Sequence, residues 1–265
     1  MIGKRELGGS GEMVPEIGFG TWRYKGGVDP LIRAIELGAN FIDTAEVYRT
    51  EPTVAQALKG RREGVFLATK VSGDHLRYDQ VLRAADESLE RLGTKVIDLY
   101  QVHWPDPLVP IKDTMRAMEE LVDAGKVRYI GVSNFTRREF EEAQGCLTKY
   151  KIVANQVEYS LSDRTIEPDI EPLYRKGKVS IIAYSPLAQG ALLYPGQTDQ
   201  QRALHEVALE TGKTEAQVSL AWCLRIPEVI AIPKTDHVER VDEDCGAAGW
   251  QLTPDQIERL NRAFP

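Results

Sequence analysis

Cysteine is scarce in this chain. Cys146, Cys223 and Cys245 are the only three, and no C-x-x-C pair occurs. An odd number at wide spacings excludes a disulfide framework and a zinc knuckle, and makes a reducing cytoplasm the expected setting. Histidine is nearly as rare. His75, His103, His205 and His237 are scattered, so no zinc site is expected. Long apolar runs are missing too. Runs such as Val179–Ala183 are far too short to span a membrane. Met1–Glu12 carries charges and glycines in place of the apolar core of a signal peptide. Basic charge is not in excess: 33 Lys and Arg face 40 Asp and Glu, for a net charge of -7. No nucleic-acid partner is expected from that balance, and an anionic ligand would need a locally basic site. No linker or low-complexity stretch divides the chain, so one domain over residues 1–265 is expected.

What is present suits a globular enzyme. The 265 residues are 42% apolar and 28% charged, and a (β/α)8 barrel takes roughly 250 residues. Residues 4–17 read as a hairpin, with Gly8-Gly9-Ser10-Gly11 as its turn. The glycines lack the strand–turn–helix setting of a phosphate loop. An alternation then begins. Ile17–Thr21 is a short strand. Asp29 and Pro30 start a helix as N-cap and first residue, and Gly38 ends it. Phe41-Ile42, Val65–Thr69, Val96–Val102, Tyr129–Val132, Val153–Val157, Ser180–Ala183 and Val229–Ile232 read as further strands. Helices are expected at 52–60, 78–92, 111–124, from Thr136 onward, near 167–176, at 199–211, at 214–225, near 237–244 and at 253–262. Thr136 with Glu139, and Thr214 with Gln217, form capping boxes, and Thr253 with Gln256 carries a similar signature.

Eight strands in strict βα order predict a single closed (β/α)8 TIM barrel with an N-terminal β-hairpin cap and extra C-terminal helices. An open doubly wound sheet fits less well, because no G-x-G-x-x-G follows the first strand. In a barrel the active site lies at the strand C-terminal ends. There Asp43, Lys70 and His103 each close an apolar run, and Tyr48 lies one loop past Asp43. Each has a plainer reading alone. Asp43 with Glu46 fits a helix cap, Lys70 a solvated strand end, and Tyr48 a half-buried loop aromatic. Together they make a coherent acid site. A phenol has a pKa near 10, and a nearby ammonium is expected to lower it. Asp43 would hold Lys70 charged, and His103 would bond a substrate oxygen. Such a site protonates an alkoxide as it forms, as hydride reduction of a carbonyl requires.

A second set of residues suits the hydride carrier. Ser133 and Asn134, with Asn155-Gln156, offer hydroxyl and amide groups for a carboxamide. Tyr184 offers a stacking ring. Lys234, Thr235 and Arg240 open a helix and form a phosphate pocket, although a solvated basic helix start has the same composition.

These motifs, in this order, resemble the aldo-keto reductase superfamily over almost the whole chain. They are the hairpin ending in Ile17-Gly18-Phe19-Gly20-Thr21-Trp22, then Phe41-Ile42-Asp43-Thr44-Ala45 with Tyr48 and Glu51. Ala68-Thr69-Lys70, Val102-His103-Trp104-Pro105, Gly131-Val132-Ser133-Asn134-Phe135, Tyr184-Ser185-Pro186-Leu187, and Ile232-Pro233-Lys234-Thr235 through Arg240 follow. The resemblance implies NADP(H) lying extended across the strand ends, preferred over NAD(H). Tyr48 would be the general acid, with Asp43, Lys70 and His103 completing a tetrad. Thr21, Trp22, Asp43, Ser133, Asn134, Gln156 and Tyr184 would hold the nicotinamide half, and Ser185, Leu187 and Gln189 the pyrophosphate. Lys234, Thr235 and Arg240 would take the 2′-phosphate, and Asp244 would lie near the adenine, where the family usually has asparagine. The substrate, a small carbonyl compound, would meet Trp22, Tyr48, His103 and Trp104. Arg49 stands where the family usually has glycine. The chain ends soon after its last helix, without the long loop that many members fold over substrate, so an open and broadly selective pocket is expected. A monomer is the default expectation. A barrel aldolase with a Schiff base on Lys70, or a nucleotide-binding regulator with little turnover, are the alternative readings.

Overall fold

The computed structural model describes residues 2–168, 174, 176, 178–193 and 198–265. Lys4–Glu6 (β1) and Met13–Pro15 (β2) pair antiparallel, with Arg5 opposite Val14. Their turn comes so close to the barrel that a side chain at Gly8 would meet the Val153 carbonyl oxygen at 2.0 Å. Gly8, at φ +54°, has no Cβ to place there. Leu7 and Val14 are buried with Phe41, Phe66, Leu99, Val153, Ile182 and Ile230 in one cluster. The hairpin therefore plugs the lower end of the barrel with apolar side chains.

The barrel alternates strand and helix. Phe19–Gly20 (β3), Asp29–Leu37 (α1), Phe41–Asp43 (β4), Glu51–Leu58 (α2), Phe66–Val71 (β5) and Tyr78–Leu92 (α3) make its first half. Ile97–Val102 (β6), Ile111–Asp123 (α4), Val127–Ser133 (β7), Arg137–Cys146 (α5) and Ile152–Glu158 (β8) continue it. Ser180–Tyr184 (β9), Asp199–Thr211 (α6), Glu215–Cys223 (α7), Val229–Ala231 (β10), Val238–Cys245 (α8) and Pro254–Ala263 (α9) complete it. Strands β3 to β10 lie side by side in chain order, all parallel. The ring closes where Gly18 N–H donates to the Ala231 carbonyl (2.8 Å) and Gly20 N–H to that of Pro233 (3.0 Å). The helix expected near 167–176 falls largely outside the described residues.

Local signals act where the sequence places them. Thr136, Thr214 and Thr253 each accept a bond from the N–H three residues on, and Thr198 does the same for α6. Asp29 departs from expectation. It is the first residue of α1, Val28 is the N-cap, and no side chain caps that end. Among the described residues no helix is long and apolar enough to cross a membrane.

The alternation of side chains along a strand decides what reaches the rim. On β4 the inward residue below Asp43 is Phe41. On β5 Phe66 and Ala68 lie below Lys70, and on β6 Leu99 lies below Gln101, with His103 next above. The lower members belong to the apolar plug. Register then sets Lys70 beside Gln101 and Gln101 beside Gly131.

Candidate active site

Lys70 and Asp43 are both almost completely buried, and Lys70 Nζ donates to Asp43 Oδ1 at 2.6 Å. A second ammonium hydrogen goes to the Thr44 carbonyl at 2.9 Å. Burial works against the charged lysine, but Asp43 and then Tyr48 more than offset it, so its pKa lies above the usual value. Such an ammonium is a poor Schiff-base nucleophile, which speaks against an aldolase. The other oxygen of Asp43 accepts from Gln156 Nε2 (2.8 Å) and Gln101 Nε2 (3.3 Å). Asp43 is therefore not a helix cap. The short helical turn Glu46–Tyr48 begins from Ala45 with no side-chain cap, and Glu46 instead meets Ser72 N–H and His75 Nδ1.

That turn carries Tyr48 over the pair. Lys70 Nζ lies 5.0 Å from the centre of the Tyr48 ring. The Tyr48 hydroxyl is 3.2 Å from His103 Nε2, with the rings edge to face. The expected fall in the Tyr48 pKa does not occur. Burial raises it, and the lowering by Lys70 only partly compensates, so Tyr48 is a neutral phenol at pH 7. Burial and then the Lys70 charge depress His103 to about 3, so its ring is neutral.

Around this centre Thr21, Asp43, Ser133, Asn134, Gln156 and Tyr184 are linked by hydrogen bonds. Ser133 Oγ donates to the Gln156 carbonyl (3.0 Å). Asn134 Nδ2 donates to the His103 carbonyl (3.1 Å) and to Ser133 Oγ (3.1 Å), while its Oδ1 accepts from the Tyr184 hydroxyl (3.0 Å). Thr21 is fully buried below the rim, its hydroxyl donating to the Asp43 carbonyl and meeting Thr50. Trp22 and Trp104 stand at the mouth, 41% and 53% exposed. Lys234 Nζ is paired with Asp236 Oδ2 at 2.7 Å, and Asp236 also accepts from Lys25 N–H. Thr235 is buried and Arg240 exposed. Asp244 is buried near Arg240, one helical turn away on α8.

The backbone is strained in the same place. Among the described residues, seven non-glycine residues have positive φ: Arg23, Arg49, Asn134, Lys178, Ser185, Ala188 and Gln189. All but Lys178 lie in loops that leave a strand at its C-terminal end. Strain concentrated at one rim marks a site where surrounding contacts over-determine the loops.

A profile of the Aldo/keto reductase family matches residues 16–264. The chain belongs to this family. Its similarity extends over most of the length of several known members. It is 35% identical to the methylglyoxal reductase YeaE of Escherichia coli (strain K12), covering 95% of this chain and 92% of that one. It is 32% identical to a glyoxal reductase of Bacillus subtilis (strain 168), covering 95% and 90%. The crystal structure of an aldo-keto reductase from Klebsiella pneumoniae in complex with NADPH superposes with a TM-score of 0.92 at 35% identity, covering 100% of this chain and 96% of that one.

The donor set suits a dinucleotide by its chemistry. It comprises the half-buried Tyr184 ring, side-chain amides at Asn134 and Gln156, strained turns at Ser185 and Gln189, and cations at Lys234 and Arg240. Two residues of the site carry no motif in the sequence. Gln101 was visible only as a glutamine inside an apolar strand run, and Asp236 only as an acid two residues past Lys234.

The geometry also shows what Arg49 costs. It closes the Glu46–Tyr48 turn at φ 58°, where glycine is unstrained and a side chain is not. Arg49→Gly is expected to raise unfolding stability by ~0.5–1 kcal/mol, after the larger entropy of glycine in the unfolded chain is deducted. Urea denaturation of the two proteins checks it. A less stable variant would mean that the guanidinium makes contacts that outweigh the strain.

Proposed function

We propose that this protein reduces aldehydes and some ketones to alcohols with NADPH, reversibly, with Tyr48 as the general acid. The observation that carries the reading is the approach of Tyr48 Oη to His103 Nε2, with the Lys70 ammonium beneath the Tyr48 ring. One carbonyl oxygen can accept from both groups. The bound cofactor supplies the hydride. As charge grows on the oxygen, Tyr48 gives up its proton, and the fixed charge of Lys70 stabilises the phenolate left behind. Asp43 keeps Lys70 charged and aimed. Neutral His103 orients the oxygen and is not a proton source, since its imidazolium exists only far below neutral pH. Trp22 and Trp104 bound an open mouth, which suits small substrates of varied shape. The relatives named for methylglyoxal and glyoxal support small dicarbonyls as the first compounds to test.

Lys234, Thr235 and Arg240 are assigned to the 2′-phosphate, which makes NADPH the preferred cofactor. Arg240 matters most, because Asp236 already occupies Lys234. The test is a panel of methylglyoxal, glyoxal, benzaldehyde and simple ketones, followed by NADPH and NADH absorbance. Arg240→Met is expected to raise the KM for NADPH roughly tenfold or more, the loss of one charge-assisted contact, and to move that for NADH far less. No turnover with any carbonyl would reject the reductase reading. Equal loss with both cofactors would reject the phosphate assignment.

A further inference from the structure

We propose that Gln101 is a positioning residue for this reduction, holding Asp43 and Gln156 together beneath the reacting atoms. The inference rests on the reductase reading above. Gln101 is fully buried on β6. Its Nε2 donates to Asp43 Oδ2 (3.3 Å), and its Oε1 accepts from Gln156 Nε2 (3.4 Å), which itself donates to the same Asp43 oxygen (2.8 Å). Three side chains from β4, β6 and β8 thus close a ring of polar contacts.

The chemistry requires such a ring. A buried carboxylate is tolerated only when its lone pairs have donors. Lys70 serves Oδ1, and Oδ2 depends on neutral amides. Without Gln101, Asp43 is held on that side by Gln156 alone and is free to rotate from Lys70. Gln156 is affected as well. Its amide nitrogen is directed at Asp43 and Gln101, which leaves Gln156 Oε1 for an amide donor on the cofactor. Removing Gln101 Oε1 releases that orientation.

The barrel makes space for this residue. Gly131 sits beside Gln101 in register. A Cβ at Gly131 would lie 2.9 Å from Gln101 Cγ, closer than two such carbons approach. Gly131→Ala would therefore displace Gln101 while leaving its chemistry intact.

The charged and titratable groups around Lys70 are Asp43 from β4, Tyr48 from the turn after it, and His103 at the end of β6. His103 is neutral in the working range, so Asp43 is the main partner that holds Lys70 charged against burial. Loosening Asp43 makes the ammonium easier to deprotonate, and the alkaline limb of the pH–rate profile moves to lower pH.

The test uses Gln101→Met, which keeps length and volume but removes both bonds, and Gly131→Ala as a second route. Both are compared with wild type for folding by circular dichroism. Gln101→Met is expected to lower kcat about tenfold, the range of a lost bond to a charged group, with the aldehyde KM changed less than twofold. Its alkaline limb should move down by about one pH unit. In an Asp43→Asn background the same substitution should lower kcat clearly less than in wild type, because the route through Asp43 is gone and only that through Gln156 is left. Calorimetry gives a readout without turnover. Gln101→Met should weaken NADPH about fivefold while adenosine 2′,5′-bisphosphate, which lacks the nicotinamide, binds as before. Gly131→Ala should show the same pattern in milder form.

A folded Gln101→Met protein with wild-type kcat, pH limb and NADPH affinity overturns the proposal while the reductase reading stands. A loss of kcat that is just as large without Asp43 also overturns it. If wild type binds NADPH but reduces no carbonyl, the reductase reading fails and the kcat part of the proposal falls with it, while the binding comparison still decides whether Gln101 orients Gln156. A wild type that neither binds nor reduces overturns both.

Discussion

Tyr48→Phe is expected to reduce aldehyde turnover by roughly 10²–10⁴-fold, the range associated with a positioned general acid. The substitution removes one oxygen from a ring that already packs over Lys70, so folding and NADPH binding should be retained. No neighbour can take over. His103 is neutral because burial and the Lys70 charge hold its pKa near 3, and Lys70 is held by Asp43 and the Thr44 carbonyl. The loss should therefore persist across the pH range and not be rescued by mild acid. The pH profile of wild type follows from the same directions. Tyr48 and Lys70 both titrate above their usual values, so proton donation is intact at neutral pH and fails only in strong alkali. Single-turnover rates with saturating NADPH, together with NADPH binding by fluorescence, separate chemistry from affinity. Retained reduction in Tyr48→Phe would remove Tyr48 from the mechanism.

Asp244→Asn is expected to have the largest effect on stability, in the stabilising direction. Burial, then the neighbouring Glu243, raises the Asp244 pKa from 3.8 to about 7, against a lowering by Arg240. The sign follows from the protons bound. Between about pH 4 and pH 7 the folded protein keeps a proton on Asp244 that the unfolded chain has lost. Folding stability therefore falls as pH rises through that window and levels off above it. An asparagine cannot ionise, so the variant lacks this fall. The gain above pH 7 is on the order of a few kcal/mol. Urea denaturation at pH 4.5 and pH 8 checks it: the two proteins should converge at the lower pH and separate at the higher. The change also removes a negative charge beside Arg240 and the proposed phosphate pocket. NADPH should bind more tightly to the variant, most clearly above pH 7. Parallel stability curves for the two proteins would show that Asp244 titrates normally.

Much of this protein can be read along the chain. The alternation of β-branched and apolar runs with helical periodicities marks all eight barrel strands to within a few residues. Thr136, Thr214 and Thr253 cap where they stand, because capping joins residues three apart and needs no distant partner. Asp29 misled for the complementary reason: an acid beside proline suits both the cap and the first turn, and local propensity does not separate them. Asp43 posed the same ambiguity with Glu46. Its resolution lay 27 residues away at Lys70 and 113 residues away at Gln156, beyond any local signal.

The phenol shows the other boundary. A lysine next to a tyrosine predicts a lowered pKa, but the balance depends on how much water the closed rim excludes, and burial outweighs the charge at Tyr48. The sequence alone therefore determined the fold class, the order of the strands, and which side chains end them. These follow from periodicity and from the chirality that makes βα units wind one way. Only the tertiary structure decided between the two readings of Asp43, the lysine partner and the helix end, and showed that Gln101 joins it from β6 and that Asp236 shares Lys234. Those facts depend on register between strands and on desolvation, and both exist only once the barrel has closed.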